Sequence, residues 1–444
     1  LRVEFAEWFA HRCDLDAPVA VAFSGGGDST ALLHLTCSAH RSVVYAVIVD
    51  HGLRPESAAE AEVAAARAMD IGAQSVILTW QPPLDIAQGV QARARRARYA
   101  LLSNWRRQAK TGPLLLGHTL DDVAETFLLR TARGSGVDGL AIMDADRWEE
   151  PAPAAEAEQR PRLRLLRPLL DVSRATLRQY CVQNGLAWHD DPSNNDARFD
   201  RVKARDALAR LKSFGITAPG LAKTARQMRR ARMALERTAT DSFRRFGVVA
   251  PCAMWVRLSL DLWTDTPEEI TLRIFARSLE WMGGQPYPPR FDSLKAIHHI
   301  APTPAIHLRR TLHGCIIERW RDAVFIFREP VKAPRETIVR SDCPFVWDNR
   351  YRLRAQPGDV VRPAGSSLIV KDAPRDAARG SPSIWRNEIC VAHGEAPAGH
   401  CASLAPLRAT FEDSLARWDD AIQSVSPSST GTPFLGECAP KNRD

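Results

Sequence analysis

The stretch that most constrains this chain is Phe23-Ser24-Gly25-Gly26-Gly27-Asp28-Ser29-Thr30. It lies between the apolar run Val19-Ala20-Val21-Ala22 and the helix-forming Ala31-Leu32-Leu33-His34-Leu35. That order predicts a buried strand, a glycine loop and a helix with Ser29 and Thr30 near its start. Glycines let the backbone turn sharply and let a ligand approach with no Cβ in the way. The unpaired N–H groups at the helix start then form an anion site. The loop lacks a Lys-Ser/Thr ending, and its spacing is not that of a dinucleotide fingerprint. Asp28 stands where a Walker loop carries Lys, which suits a site holding Mg²⁺ with pyrophosphate. A tight turn with ordinary helix caps is the plainer alternative.

Further strands are predicted at 43–49, 75–78 and 114–116, with helices at about 55–69, 87–110 and 119–131 between and after them. Short apolar strands alternating with helices give an α/β fold, a doubly wound, mostly parallel sheet of Rossmann-like type. In such sheets ligands bind beyond the carboxyl ends of the strands. The glycine loop, Asp50-His51-Gly52-Leu53-Arg54 and the segment from Gly117 to Glu125 all fall at such ends. Residues 1–205 are therefore expected to form a catalytic domain. A basic, helical domain that ends in a strand-like stretch to Phe327 is expected over 206–335, a small β-rich module over 336–405, and a helix with a disordered tail over 406–444. A mobile low-complexity insertion is expected around 151–158.

Gly117-His118-Thr119-Leu120-Asp121-Asp122-Val123-Ala124-Glu125-Thr126 puts Asp122 and Glu125 on one helix face, three residues apart. Acids at the mouth of a nucleotide site can hold Mg²⁺ or the ammonium of an amine substrate. Thr119-x-x-Asp122 is equally the start of a capping box, and acids suit the first turn of any helix. His118 ends a strand, where a structural role is as natural as a catalytic one. Arg133-Gly134-Ser135-Gly136 offers a cation beside glycines that permit close approach of a phosphate. Arg95 and Arg98 share a helix face, and Arg201 and Arg205 open the basic stretch that runs from about 198 to 245. A solvated basic face explains either group, as does contact with ATP or an RNA backbone.

Taken in order, these segments make one set. They are Ser-Gly-Gly-Gly-Asp-Ser (24–29), Val-Asp-His-Gly-Leu-Arg (49–54), Ala-Arg-x-x-Arg-Tyr (94–99) and Leu-Gly-His-Thr-Leu-Asp-Asp-x-x-Glu-Thr (116–126). Arg-Gly-Ser-Gly-Val-Asp-Gly-Leu (133–140), Arg-Pro-Leu-Leu (167–170) and Asp-Asp-Pro-Ser-Asn (190–194) complete it. The glycine loop resembles the PP-loop of the N-type ATP pyrophosphatases, and the whole set resembles the tRNA(Ile)-lysidine synthases over roughly residues 15–210.

The resemblance implies a ligase that adenylates the C2 oxygen of the cytidine at the first anticodon position of a tRNA(Ile) with a CAU anticodon. Free L-lysine then attacks C2 and expels AMP, giving lysidine. By position, it implies that Ser24, Gly25, Gly26, Gly27, Asp28, Ser29, His118 and Arg133 bind ATP. Asp28, Asp122, Glu125 and Arg98 would be catalytic, Asp122 and Glu125 would meet lysine, and Arg201 and Arg205 would meet tRNA. Asp28 and Asp122 would hold Mg²⁺. A tRNA thiolase of the same superfamily is the nearest rival, and an inactive RNA-binding homologue is another.

Composition sets outer limits. Nine scattered cysteines, none in Cys-x-x-Cys, argue against a disulfide framework, a zinc ribbon or an iron–sulfur cluster, and so against the thiolase. A reducing cytoplasm is the expected home. The balance of 60 Lys+Arg against 52 Asp+Glu, a net +8, is compatible with an RNA partner. No run approaches the roughly 20 apolar residues of a membrane span, and the first residues show no secretory pattern. Opening on Leu1 leaves residues before it open, and oligomeric state is open too, a homodimer included.

Overall fold

The computed structural model describes residues 1–52, 56–81, 90–149, 163–189, 200–250, 253–285, 287–303, 305–340, 345–353, 355–367, 370 and 372–393. Arg54, the insertion at 151–158, the motif at 190–194 and the terminal helix and tail lie outside them, as does the side chain of Arg95. Two compact units part between Arg232 and Met233.

The first unit opens with α1 (Arg2–Ala10), β1 (Val19–Ala22), α2 (Gly27–Ala39), β2 (Val44–Asp50), α3 (Ser57–Asp70) and β3 (Gln74–Thr79). It continues with α4 (Val90–Ala109), β4 (Leu114–Leu116), α5 (Leu120–Thr131), the short α6 (Val137–Leu140), β5 (Asp146–Glu149) and β6 (Leu163–Leu166). Then come α7 (Arg174–Gln183), α8 (Asp200–Leu211) and α9 (Ala218–Phe246), and the parting between the units falls within α9.

The sheet order is β3-β2-β1-β4-β6-β5, parallel throughout except for β5, which runs antiparallel on β6. All four residues of β1 are buried because helices cover both faces. Val19 and Val21 pack on one side with Phe5, Phe9, Leu32 and Leu177. Ala20 and Ala22 pack on the other with Leu102, Leu114 and Leu116. From β1 the chain winds out to β2 and β3, then returns to β4 on β1's other side. The strand order therefore reverses between β1 and β4, and the crevice beyond their carboxyl ends is where such a sheet takes a ligand.

In the second unit, the basic helical stretch expected past 206 carries a sheet as well. Its strands β7 (Gly247–Val249), β8 (Trp255–Ser259), β9 (Arg309–Leu312), β10 (Cys315–Trp320) and β11 (Ala323–Arg328) lie in the order β7-β8-β11-β10-β9, antiparallel. Helices α10 (Asp261–Asp265), α11 (Glu268–Gly283) and α12 (Phe291–Ile300) intervene in sequence. Phe275 and Leu279 of α11 share a core with Phe325 and Phe327 of the fully buried β11. The Thr311-Leu312-His313-Gly314-Cys315 segment is a hairpin: His313 and Gly314 both have positive φ, 57° and 74°, as a tight two-residue turn requires. Beyond it, β12 (Thr337–Ile338), β15 (Val360–Pro363), β16 (Pro382–Arg386) and β17 (Ile389–His393) form a four-stranded sheet, with β13 (Phe345–Trp347) and β14 (Tyr351–Leu353) as a hairpin.

Candidate active site

The loop after β1 is held by its own serines. Ser29 Oγ donates to the Gly26 carbonyl at 2.9 Å and accepts from the Ser24 N–H at 3.3 Å, and the two serine hydroxyls lie 3.2 Å apart. Gly26 caps α2, so the N–H groups of its first turn open into the crevice. Gly25 turns with φ +75°, where a side chain would be strained. The segment before residue 190 braces the loop from outside: His189 N–H donates to the Gly25 carbonyl at 2.9 Å, and the Trp188 ring faces Gly27. At the end of β4, Gly117 packs on the loop's backbone, and a Cβ there would lie 3.3 Å from Ser29 N. Loop and strand end thus form one rigid cradle.

His118 follows Gly117. Its Nδ1 accepts from Arg167 Nε at 3.3 Å, which in the neutral ring leaves the proton on Nε2. Thr119 caps α5 in a complete capping box, and Asp122 Oδ2 accepts from the Thr119 N–H at 2.9 Å and its hydroxyl at 3.0 Å. The two readings of Asp122 therefore share one side chain: Oδ2 is the cap, and Oδ1 faces the site.

Three carboxylates and three guanidiniums meet in front of the loop. Arg174 Nε lies 3.2 Å from Asp28 Oδ2, its Nη2 3.5 Å from Asp122 Oδ1, and its Nη1 3.2 Å from Glu125 Oε1. Arg205 Nε lies 2.6 Å from the same Glu125 oxygen, and Arg201 Nη1 lies 3.7 Å from Asp122 Oδ1. Burial works to lower the Arg174 pKa, but the pull of Asp122, Asp28 and Glu125 outweighs it and the net shift is upward. Burial raises the Asp28 carboxyl, Arg174 opposes that, and Asp122 and Asp121 add to the rise. Asp28 Oδ1 and Glu125 Oε2 are buried without a hydrogen-bond partner.

Arg174 was not among the residues expected to act. It lies 146 positions from Asp28 and 49 from Glu125 and brings the two together, which no local pattern encodes. One local signal exists. A cation in the first turn of a helix opposes the helix dipole, so Arg at the position after the N-cap Ser173 needs nearby carboxylates.

Comparison with known proteins identifies the family. The family model for the PP-loop domain (ATP_bind_3) matches residues 3–211. The tRNA(Ile)-lysidine synthase of Ruegeria pomeroyi is 36 % identical over 397 residues, covering 84 % of this chain and 87 % of that protein. That of Wolbachia pipientis wMel is 35 % identical, covering 84 % and 83 %. This chain belongs to the tRNA(Ile)-lysidine synthase family. Its first unit is an ATP-binding PP-loop domain. Among solved structures, a U34-tRNA thiolase from Methanococcus maripaludis with its [4Fe-4S] cluster is 18 % identical with a TM-score of 0.42, covering 52 % of this chain and 77 % of that one. A likeness that loose carries no argument about activity.

In this member of the synthase family, Ser24, Gly25, Gly26, Gly27, Asp28, Ser29, Asp122, Glu125, Arg201 and Arg205 fall in the cradle or the charged array before it. Arg133 stands apart from that array: it is exposed and pairs with Asp200 of α8 at 2.8 Å. Arg98 lies near His51, whose pKa is lowered by burial first and by the Arg98 charge second. Cys181 sits under the loop, its thiol 3.6 Å from the Gly27 carbonyl. Burial pushes that thiol up to about 11, so it is no nucleophile at neutral pH.

Proposed function

We propose that the chain makes lysidine in the cytoplasm, from the CAU-anticodon tRNA(Ile), free L-lysine and ATP. The observation that carries the reading is the convergence of Asp28, Asp122 and Glu125 in front of a pyrophosphate cradle. Amides of the Gly25–Gly27 turn and of the start of α2 bind the diphosphate of ATP. A cytidine splayed out of the anticodon loop presents its C2 oxygen to the α-phosphorus. The P–O bond to pyrophosphate breaks as the oxygen adds. Asp122 and Glu125 hold the lysine ammonium, and a carboxylate takes its proton as the amine attacks C2. The C2–O bond then breaks and AMP leaves.

The donor set fits Mg²⁺. The unpartnered Asp28 Oδ1 is a ready ligand, and Mg²⁺ characteristically takes one or two carboxylates with substrate phosphates and waters. Asp122, with Oδ2 engaged in its cap, would turn Oδ1 to the ion from its longer contacts with Arg174 and Arg201, 3.5 and 3.7 Å. When bound, the ion would neutralise charge on the departing pyrophosphate. Arg98 and Arg133 steady phosphates in this reading, and Arg201 and Arg205 contact the tRNA. The basic helices past 206 bind the RNA body. The thiolase alternative is disfavoured by Cys181, the cysteine beside the loop, which is buried and protonated.

The test is incubation with unmodified isoleucine tRNA, ATP and labelled lysine. Label in the tRNA together with AMP release is expected. AMP release without label would sink the lysidine reading, and neither product would favour an inactive homologue.

A further inference from the structure

The geometry points to Arg205 as a coupling residue: in the free enzyme it occupies the carboxylate that the lysine ammonium needs, and an RNA phosphate drawn to α8 takes it away. The inference rests on the lysidine reading above.

Glu125 is 1 % exposed, and a carboxylate that deep must be paired. Both of its cations use one oxygen. Oε1 takes Arg174 at 3.2 Å and Arg205 at 2.6 Å, while Oε2 is buried and unpartnered. A carboxylate has two oxygens that can each accept more than one hydrogen bond, so Oε2 still has room for a further donor.

The two arginines differ in exposure, 22 % for the Arg174 side chain against 33 % for that of Arg205. Arg174 is fixed: its backbone N–H donates to Asp121 Oδ2 at 2.7 Å, and its guanidinium is shared with Asp28 and Asp122. Arg205 belongs to another helix, its side chain is 33 % exposed, and Arg201 one turn earlier is 49 % exposed. RNA can reach both. A guanidinium trades a carboxylate for a phosphate with little loss, because both suit its fork. When Arg205 turns to the phosphate, Glu125 keeps one cation and gains an open side, which an ammonium with three donors can fill. Arg174 remains as the positioning residue that keeps the three acids from repelling one another. Occupancy of the lysine site then follows occupancy by RNA, and linkage makes the effect reciprocal.

The experiment is calorimetric titration of lysine into the full chain, with an ATP analogue whose α–β bridge cannot be split, with and without an unmodified CAU anticodon stem-loop. In the wild type the RNA should tighten lysine binding by about 5- to 100-fold. Arg205→Gln should bind lysine more tightly than wild type without RNA, and the coupling should fall to near unity. Arg205→Lys should restore part of it. Arg178→Gln, which removes one exposed cation from α7, is the charge control and should leave the coupling at its wild-type value. Wild-type lysine affinity that ignores the RNA overturns the inference alone, and so does an Arg205→Gln that is coupled as the wild type is. The wild-type measurement needs no variant, so a misfolded variant would not shelter the inference. Lysine binding in no sample would overturn the lysidine reading and this inference with it.

Discussion

At the scale of single residues, the site separates groups that hold shape from groups that meet substrate. Gly27 has room for a methyl group, since its nearest neighbour is the Trp188 ring at 3.6 Å from a built Cβ. Gly27→Ala should therefore leave thermal stability nearly unchanged, and ATP binding too, because the methyl would lie against Trp188 on the outer side of the loop. A loss of ATP affinity with unchanged stability would mean that the diphosphate approaches from the Trp188 side. Asp28→Ala should abolish AMP release and leave tRNA binding within a few-fold, read by gel shift. Arg174→Ala leaves Asp28, Asp122 and Glu125 facing one another with their shared cation gone. It should cost about 3 kcal/mol in urea unfolding, and Arg174→Lys should recover little, since a point charge cannot span three carboxylates. The acids and the loop were legible in the sequence because each lies in a short local pattern. Arg174 was not, because its partners sit on two other elements.

At the scale of elements, legibility followed burial. β1 and β4 matched their expected residues, 19–22 and 114–116, because a strand covered on both faces is a continuous apolar run. β5 gave no signal: Asp146-Arg147-Trp148-Glu149 is an edge strand, and charge is what edges carry. β7 and β8 were hidden for a related reason. β7 follows directly on a long basic helix and pairs with β8, whose own pairing with β11 is fixed some 70 residues downstream. The start of α7 was legible as a cap, and its function was not. Ser173 Oγ accepts from the Thr176 N–H at 3.1 Å, while Asp121 takes the Arg174 N–H. Ser173→Ala should cost about 1 kcal/mol. Asp121→Ala should cost as much and also lower catalytic turnover, because it loosens the backbone that aims Arg174. Turnover unaffected by Asp121→Ala would separate the helix end from the chemistry.

At the scale of the whole molecule, stability against pH adds a test of the second unit. His298 of α12 is buried there, its Nε2 2.6 Å from Thr271 Oγ1, with the Trp263 and Phe275 rings beside it. Burial, helped by the His299 charge and opposed by Glu268, pushes its pKa down from 6.5 to about 4. In the unfolded chain the ring is an ordinary histidine. Between those two values the unfolded state binds the extra proton, so stability rises with pH across the window and is lost as pH falls through it. His298→Gln removes the titration while keeping a polar group opposite Thr271. The stability gap between wild type and variant, from urea unfolding at a series of pH values, should be constant above about pH 6.5 and narrow steadily down to about pH 4. The narrowing should be on the order of 2 kcal/mol, short of the full linkage value because water relaxes around a partly solvated ring. A gap that does not change with pH would mean that His298 is protonated in the folded chain or open to water. Either result would contradict the packing of α12 against α11 on which the core of this unit depends.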